Sequence, residues 1–377
     1  MVFPLHYIDL VGYGILALFA FAFLHQVIMY LRVFSGVARY KRRPGKHAEA
    51  VSVIISARNE AENLKNNLKA VLEQDHKNYE VIVVNDCSTD STDDVLGEYL
   101  KTYKHLRVTS IAPDKKFTHG KKLALTVGIK AAVNEWLVFI DADCVPVSDK
   151  WLSRLQENFS KKTDIVLGYG GYMQRKGFLN AYIRYDTLFI AMQYLGRAAL
   201  GKPYMGVGRN LAYRKSLFFK NKGFATHYNL LSGDDDLFVN ETATRSNTAI
   251  EFHPESHTLS VPKQTWEEWF AQKRRHFTTA GRYKAKDYFN LGLEPLTRLL
   301  FYFTFCYLLA LKLFFIPVLV AFGVRLVIQL VILKMSMNRL SVRGVFFRYI
   351  LFDLISLFIN FILYLSSLFR RRKTRWK

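Results

Sequence analysis

Cysteine is scarce: the 377 residues hold three, Cys87, Cys144 and Cys306, with no metal-type spacing among them. An odd count without such spacing supports neither a disulfide framework nor a zinc site, so all three read as small buried residues. Acidic charge is also in short supply. Lys and Arg number 53 against 31 Asp and Glu, a formal net charge of +22. That excess raises the question of nucleic acid, yet no recognisable nucleic-acid-binding motif accompanies it, and many of the basic residues flank apolar stretches. Nucleic acid is not expected as a partner. Internal repeats and low-complexity linkers are absent too. The most telling absence is local: residues 10–31 contain no Lys, Arg, Asp or Glu.

Only His25 and Gln26 interrupt that run, whose length suits a hydrocarbon core, and it reads as a transmembrane anchor over residues 1–34. A cleaved signal peptide fits less well, because no positive charge precedes the run and no small-residue cleavage site follows it. Arg32, Arg39, Lys41, Arg42, Arg43 and Lys46 follow instead, which puts the next segment in the cytoplasm. The chain is again apolar from about 298 to 334, broken by Lys312, Pro317 and Arg325, and from 349 to 369. Two or three further membrane helices fit the region 296–370, the first stretch being either one tilted helix or a tight pair near Lys312 to Pro317. The basic tail 370–377 belongs on the cytoplasmic side beside anionic lipid. That favours an even number of crossings after the soluble part, or a last segment that is re-entrant or interfacial. The expectation is a multi-pass integral membrane protein, in a bacterial inner membrane, with its soluble domain in the cytoplasm.

The soluble stretch, 48–285, alternates strand and helix signals. Val51–Ser56, Tyr79–Val84, Arg107–Ile111 and the run from Trp136 read as strands, and Asn59–Leu72, Asp90–Tyr103 and Lys121–Asn134 as helices. This is an α/β pattern, with a mostly parallel sheet, helices on both faces, and ligands at the carboxyl ends of the strands. Further on, Ile165–Tyr172 reads as a strand running into a Gly-rich turn and 178–200 as an aromatic-rich helix. The stretch Trp266–Tyr283 mixes Trp and Phe with Lys and Arg. It fits an amphipathic helix at the membrane surface, and equally an ordinary surface helix.

Six local signals fall along this domain. Ser56-Ala57-Arg58-Asn59-Glu60 follows the first strand as a polar loop able to hold a nucleobase or ribose. Asn85-Asp86-Cys87-Ser88 follows the second, where Asp86 can accept a hydrogen bond from a base or ribose group, while Ser88 or Asp90 can cap the next helix. His119-Gly120-Lys121 opens a helix with positive charge and free N–H groups suited to phosphate. Asp141-Ala142-Asp143 ends an apolar strand; alternation there would aim both carboxylates one way, as a hard oxygen site for Mg²⁺ or Mn²⁺. Gly206 and Gly208 allow close backbone approach to a ligand. Asp234-Asp235-Asp236 precedes an apolar helix, and like charges packed so closely raise the proton affinity of at least one, as a general base near neutral pH requires.

In this order and spacing the six signals resemble the signature of inverting family 2 glycosyltransferases with a GT-A fold, over residues 50–285. The resemblance implies that Ala57, Asn59, Glu60, Asp86, Lys121 and Asp141 bind the nucleoside diphosphate. It also implies that Asp141 and Asp143 hold Mg²⁺ or Mn²⁺, and that the 234–236 cluster supplies the base. Asp235 best matches the second acid of the family's Glu-Asp pair, with Asp234 in the first place and Asp236 adding a register ambiguity. Gln272-Lys273-Arg274-Arg275-His276 resembles the Gln-x-x-Arg-Trp motif of the membrane synthases of cellulose, chitin and hyaluronan and of some lipid glycosyltransferases. His276 replaces the Trp that helps form the acceptor site there, which leaves acceptor type and processivity open. Gln272 and Arg275 remain suited to pyrophosphate, and Gly208 to close approach. The implied reaction takes a sugar from a UDP- or GDP-linked donor to a lipid, lipid-linked glycan or polysaccharide. A processive polysaccharide synthase is the alternative within this class, and a non-catalytic membrane-anchored nucleotide-binding or scaffold protein the alternative outside it.

Overall fold

The structure, a computed structural model, describes residues 5–42, 45, 49–112, 120–230 and 232–368. Arg43, Lys46, His119 and the basic tail, all part of the sequence reading, lie outside the described residues. The uncharged run forms α1 (Leu5–Ile28), which passes through a π-helical turn, Met29–Phe34, into α2 (Ser35–Arg39). The helical path thus continues to Arg39 rather than ending at 34. Its last part is protein core: Met29, Tyr30, Phe34, Val37 and Ala38 are buried.

The alternating segment folds as β1 (Val51–Ala57), α3 (Ala61–Leu72), β2 (Tyr79–Asp86), α4 (Thr92–Thr102), β3 (Leu106–Ile111), α5 (Lys121–Ala131) and β4 (Trp136–Phe139). β1 pairs in parallel with both β2 and β4, and β2 with β3. Alternate side chains feed two cores, as a sheet covered on both faces requires. Ile54, Ile82 and Val84 pack with Leu125 and Ile129 of α5, while Val53, Ile55 and Val83 pack with Leu64 and Leu68 of α3.

Next come β5 (Cys144–Pro146), α6 (Trp151–Gln156), β6 (Ile165–Gly168), β7 (Gly170–Tyr172), α7 (Phe178–Ala199), β8 (Leu211–Arg214), α8 (Lys215–Lys220), α9 (Asp236–Thr242), β9 (Thr248–Glu251) and β10 (Thr258–Ser260). The main sheet has the order β3-β2-β1-β4-β8-β6-β9. β8 is antiparallel to both neighbours and the remaining pairs are parallel, so the sheet is mostly parallel. The segment read as a strand running into a Gly-rich turn, Ile165–Tyr172, has a second strand where the turn was expected: the first strand stops at Gly168, and Gly170–Tyr172 forms β7, which joins β10 and β5 in a second sheet. The cause is Asn210. Its buried amide donates to the Tyr169 carbonyl at 2.8 Å and also to that of Ser256 at 2.8 Å, and it packs so closely on Gly168 that a Cβ there would collide with it.

α2 lies across α7 with two glycines face to face. A Cβ on Gly36 would come within 2.7 Å of the Gly196 Cα, and one on Gly196 would strike the Val33 carbonyl. After α10 (Trp266–Ala280) come α11 (Ala285–Ala310), α12 (Phe315–Arg339) and α13 (Tyr349–Leu368). The apolar stretch 298–334 breaks between α11 and α12, where Lys312 and Phe314 take positive φ of 53° and 48°. Among the described residues, four helical segments are long and apolar enough to cross a membrane: Leu10–Arg39, Ala285–Ala310, Phe315–Arg339 and Phe346–Ser366. Buried charge joins all four. Asp353 of α13 sits 2.7 Å from the Arg298 guanidinium of α11 and 3.6 Å from that of Arg325 in α12. Arg325 also donates to Gln26 of α1 at 3.1 Å. Charged groups so placed persist only when they satisfy one another.

Candidate active site

The carboxyl ends of β1, β2 and β4 deliver their loops to one edge of the sheet. Ala57 lies opposite Asn85 in the parallel register. Asn59, at φ 55°, lashes the first two loops together: its Oδ1 accepts from the Thr89 N–H at 2.8 Å, and its own N–H donates to Ser88 Oγ at 2.9 Å. The Asp90 carboxylate accepts from the N–H groups of Ala61 and Thr92, each at 3.1 Å, and so holds the starts of α3 and α4. Asp86 is buried at the end of β2 with the Arg58 guanidinium 3.9 Å away. Glu60 accepts from the Asn63 amide at 2.6 Å. Desolvation, with Asp143 and Asp141 nearby, raises its carboxyl above the ordinary value.

β4 ends at Phe139, so Asp141 and Asp143 stand in the turn before β5 and not on a strand. Strand alternation is therefore not what gathers them. A turn does so: the Cys144 N–H donates to the Asp141 carbonyl at 3.0 Å, and the Asn67 amide clamps the Ala142 carbonyl at 3.1 Å. The ligand atoms of Asp141, Asp143 and Cys144 come within 4.8 Å of one another. Desolvation and the Asp141 charge raise the Asp143 carboxyl, a like-charge strain that a divalent cation would relieve. The Cys144 thiol is pushed well above its usual value by burial and donates to Asp143 at 3.1 Å. Cys144 is buried with its Sγ also 2.9 Å from the Ser260 hydroxyl, so the more accessible donors are the two carboxylates, hard oxygens that suit Mg²⁺ or Mn²⁺ better than zinc.

Lys121, at the first turn of α5, ties this turn to the acidic triplet. Its Nζ lies 2.8 Å from Asp141 and 3.0 Å from Asp234. Burial works against its charge, but Asp141, Asp234 and Asp235 outweigh it and hold the ammonium well above its ordinary value. Lys122 holds the loop before the triplet, donating to the carbonyls of His227, Leu230 and Ser232 at 2.5, 3.0 and 2.7 Å.

The three acids then part company. Desolvation opposes ionisation of Asp234, yet Lys121 prevails and lowers its carboxyl. Asp236 accepts from Thr279 Oγ1 at 2.5 Å and from the Tyr283 hydroxyl at 2.8 Å, so it anchors the start of α9 to the end of α10. Asp235 caps α9 through Oδ1, which accepts from the Asp236 N–H at 2.8 Å. Its Oδ2 accepts from the Gly208 N–H at 2.6 Å. Desolvation first, then Asp234 and Asp236, push its carboxyl up to about 7. Gly208 is the narrowest approach, since a Cβ there would stand 3.3 Å from both Asp235 Oδ2 and Lys121 Nζ.

α10 closes the other side, its start fixed by reciprocal Thr265 and Glu268 bonds. Trp269 is buried, and Lys273 pairs with Asp186 of α7 at 2.6 Å. Gln272 donates to the Tyr172 hydroxyl at 3.3 Å. Arg275 is exposed and makes no ion pair among the described residues. His276 opens to solvent yet is surrounded by protein; that desolvation, with Arg275, Lys273, Arg209 and Lys121, drives its imidazole well below the ordinary value. Sequence reasoning passed over two cations. Arg209 stacks 4.5 Å from the Tyr172 ring centre and acts electrostatically on Asp143 and His276, and Lys263 acts on Glu60 and Asp143. Arg209 adjoins the Gly206–Gly208 signal and could have been nominated from it; nothing local marks Lys263.

The doubly covered sheet with this carboxyl-edge site is a GT-A fold. The solved mannosyltransferase of Pyrobaculum calidifontis in complex with GDP-Man and Mn²⁺ superposes with a TM-score of 0.62, covering 96% of this chain and 99% of its own at 19% identity. Residues 52–220 match Glycosyl transferase family 2. Among curated relatives, the probable glycosyltransferase YdaM of Bacillus subtilis is 28% identical over 273 residues, 70% of this chain and 64% of that protein. Glycosyltransferase AglE of Haloferax volcanii is 32% identical over 188 residues, 49% of this chain and 58% of its own. The poly-beta-1,6-N-acetyl-D-glucosamine synthase of Staphylococcus epidermidis is 31% identical over 116 residues, 31% of this chain and 27% of its own. The chain thus spans less than two thirds of each of these curated relatives.

Proposed function

We propose that the chain is a membrane-integral, inverting glycosyltransferase that moves a sugar from a nucleoside-diphosphate donor to a lipid or lipid-linked glycan acceptor presented at the membrane. The observation that carries this reading is Asp235, a carboxylate near 7 fixed by the Gly208 N–H and set beside the Lys121 bridge to Asp141. A base so tuned accepts a proton from a hydroxyl at neutral pH and holds it after transfer.

Ala57, Asn59, Glu60 and Asp86 line the edge where a nucleoside would lie. Asp141 and Asp143 would hold Mg²⁺ or Mn²⁺, which when bound supplies charge neutralisation for the departing diphosphate. The Mn²⁺ and GDP-Man of the Pyrobaculum neighbour support that choice of metal and of donor class. Lys121 and Arg275 bring further positive charge toward the phosphates, Arg275 with the planar fork that matches their oxygens. Asp235 takes the acceptor proton, and Gly208 keeps its carboxylate aimed. Asp234 keeps Lys121 in place. Four apolar helical segments support a multi-pass membrane protein with an acceptor drawn from the bilayer.

The test is nucleotide release by the detergent-purified chain across a panel of UDP- and GDP-sugars, with Mn²⁺, Mg²⁺ or EDTA, and membrane lipids as acceptors. Metal-dependent release from one donor supports the reading. Nucleotide binding without any turnover would replace it with a non-catalytic nucleotide-binding protein. The likeness to a polysaccharide synthase raises polymerisation as the second form. Product length on a defined acceptor separates the two.

A further inference from the structure

Where α2 meets the soluble domain, a groove of about 660 Å³ opens beneath the end of the first membrane helix. One rim carries Arg32, Arg39 and Lys41, all exposed. None of these cations makes an ion pair among the described residues; Arg39 only donates back to the Leu31 carbonyl at 2.6 Å. The acid on the groove wall, Glu157, is already neutralised by Arg42 at 2.5 Å and Arg154 at 2.7 Å. The groove therefore keeps an uncompensated positive charge.

Its other walls are of two kinds. Gly36, Ala199 and Leu200 supply apolar lining, and Ser160, Thr163 and Thr248 supply hydroxyl groups, the first two bonded to each other at 2.8 Å and Thr248 donating to Asn247 at 3.0 Å. Above the rim the apolar face of α1 continues without a break through Leu24, Ile28 and Leu31, each about half exposed at 57%, 52% and 47%. Apolar surface leading into a cationic, hydroxyl-lined groove is complementary to an anion with a hydrocarbon tail, and a free anion would have no use for the upper part. The groove is distinct from the candidate active site. Thr163 precedes β6 and Thr248 begins β9, and β6, like β4, runs antiparallel to β8. The groove thus lies at the amino end of the sheet strands, opposite the carboxyl edge that gathers the acids.

We propose that this groove seats the headgroup of an anionic phospholipid, with the acyl chains lying along Leu24, Ile28 and Leu31. The inference rests on α1 being a membrane span and is independent of the transfer chemistry. Arg32, Arg39 and Lys41 hold the phosphate, and the hydroxyl wall takes the remaining headgroup oxygens. Bound there, the lipid fixes the amino end of the sheet at the bilayer surface.

The test titrates the full-length, detergent-purified chain with phosphatidylglycerol or phosphatidylcholine and reads bound lipid by native mass spectrometry. Three proteins are compared: wild type, the triple variant R32Q/R39Q/K41Q, and Thr248→Trp, which narrows the groove and leaves the charges intact. Wild type should prefer phosphatidylglycerol by about tenfold or more, given three cations at an anionic surface. Both variants should lose that preference, while Mn²⁺-dependent binding of the nucleoside diphosphate, read by calorimetry in the same detergent, stays at the wild-type level. Equal binding of the two lipids by wild type overturns the proposal. So does a Thr248→Trp variant that keeps full preference, which would make that preference a property of the exposed cations and not of the groove, and so does displacement of the lipid by millimolar inorganic phosphate. Extraction of the chain from membranes by alkaline carbonate would remove the membrane reading of α1, and this proposal with it, without touching the catalytic one.

Discussion

The backbone N–H of Gly208 donates to Oδ2 of Asp235 at 2.6 Å, while a side chain on that glycine would crowd the same oxygen. The bond aims the carboxylate and favours its charged form, and desolvation opposes that charge more strongly. The balance near 7 makes Asp235 responsive to physiological pH.

Asp235→Asn should reduce transfer by about 10²–10⁴-fold, the usual contribution of a positioned base, with donor binding retained. In wild type kcat should rise with pH through about 7 as Asp235 ionises. The stability effect has the opposite sign. Because the folded carboxyl lies above its unfolded value, its stabilising contribution is complete below about 3.9 and is lost as pH rises through about 7. Thermal melts should therefore show Asp235→Asn more stable than wild type at pH 8, with the gap closing toward pH 4.

Lys121→Gln removes the charge between Asp141 and Asp234. Charge-assisted bonds of this sort contribute about 1.5–3 kcal/mol, so donor kcat/KM should fall roughly 10- to 100-fold. The pH profile should also shift upward, since Lys121 lowers the proton affinity of Asp235. An unchanged profile would place Lys121 outside the base's environment.

Asp143→Ala should weaken Mn²⁺ binding by more than about tenfold, read directly by calorimetry or electron paramagnetic resonance without any substrate. EDTA should abolish nucleotide release by wild type, and Mn²⁺ or Mg²⁺ should restore it.

Asp353→Leu leaves Arg298 and Arg325 buried without their shared carboxylate. Breaking such a buried pair costs about 3–5 kcal/mol. Melting in detergent should show a large drop for Asp353→Leu and a smaller one for Asp353→Asn, which keeps a hydrogen-bond acceptor between the two guanidinium groups.

The elements from β1 to β4 were legible in the sequence because their apolar periodicity is strong and their turns carry local signals. The positions of the acids were legible for the same reason. What escaped depends on residues far apart along the chain. Asn210 splits β6 from β7 through a bond to Tyr169, 41 residues away. Asp236 reads as an equal of Asp235 until Thr279 and Tyr283, 43 and 47 residues on, take its oxygens. Asp141 and Asp143 do lie close together, but not through strand alternation, since the strand stops at Phe139 and a turn gathers them.

The contact between Gly36 and Gly196 joins the end of the first apolar helix to a buried helix of the domain with no room for an intervening side chain. A catalytic domain on a slack tether can swing and sample the bilayer at many heights. This one is held on a short, stiff mount, so under the proposed function its cleft would keep one stand-off from the lipid surface. Under the proposed function, the distance between an acceptor's lipid anchor and its hydroxyl then becomes a ruler for selection, and an acceptor too short or too long cannot reach Asp235 however well its sugar fits.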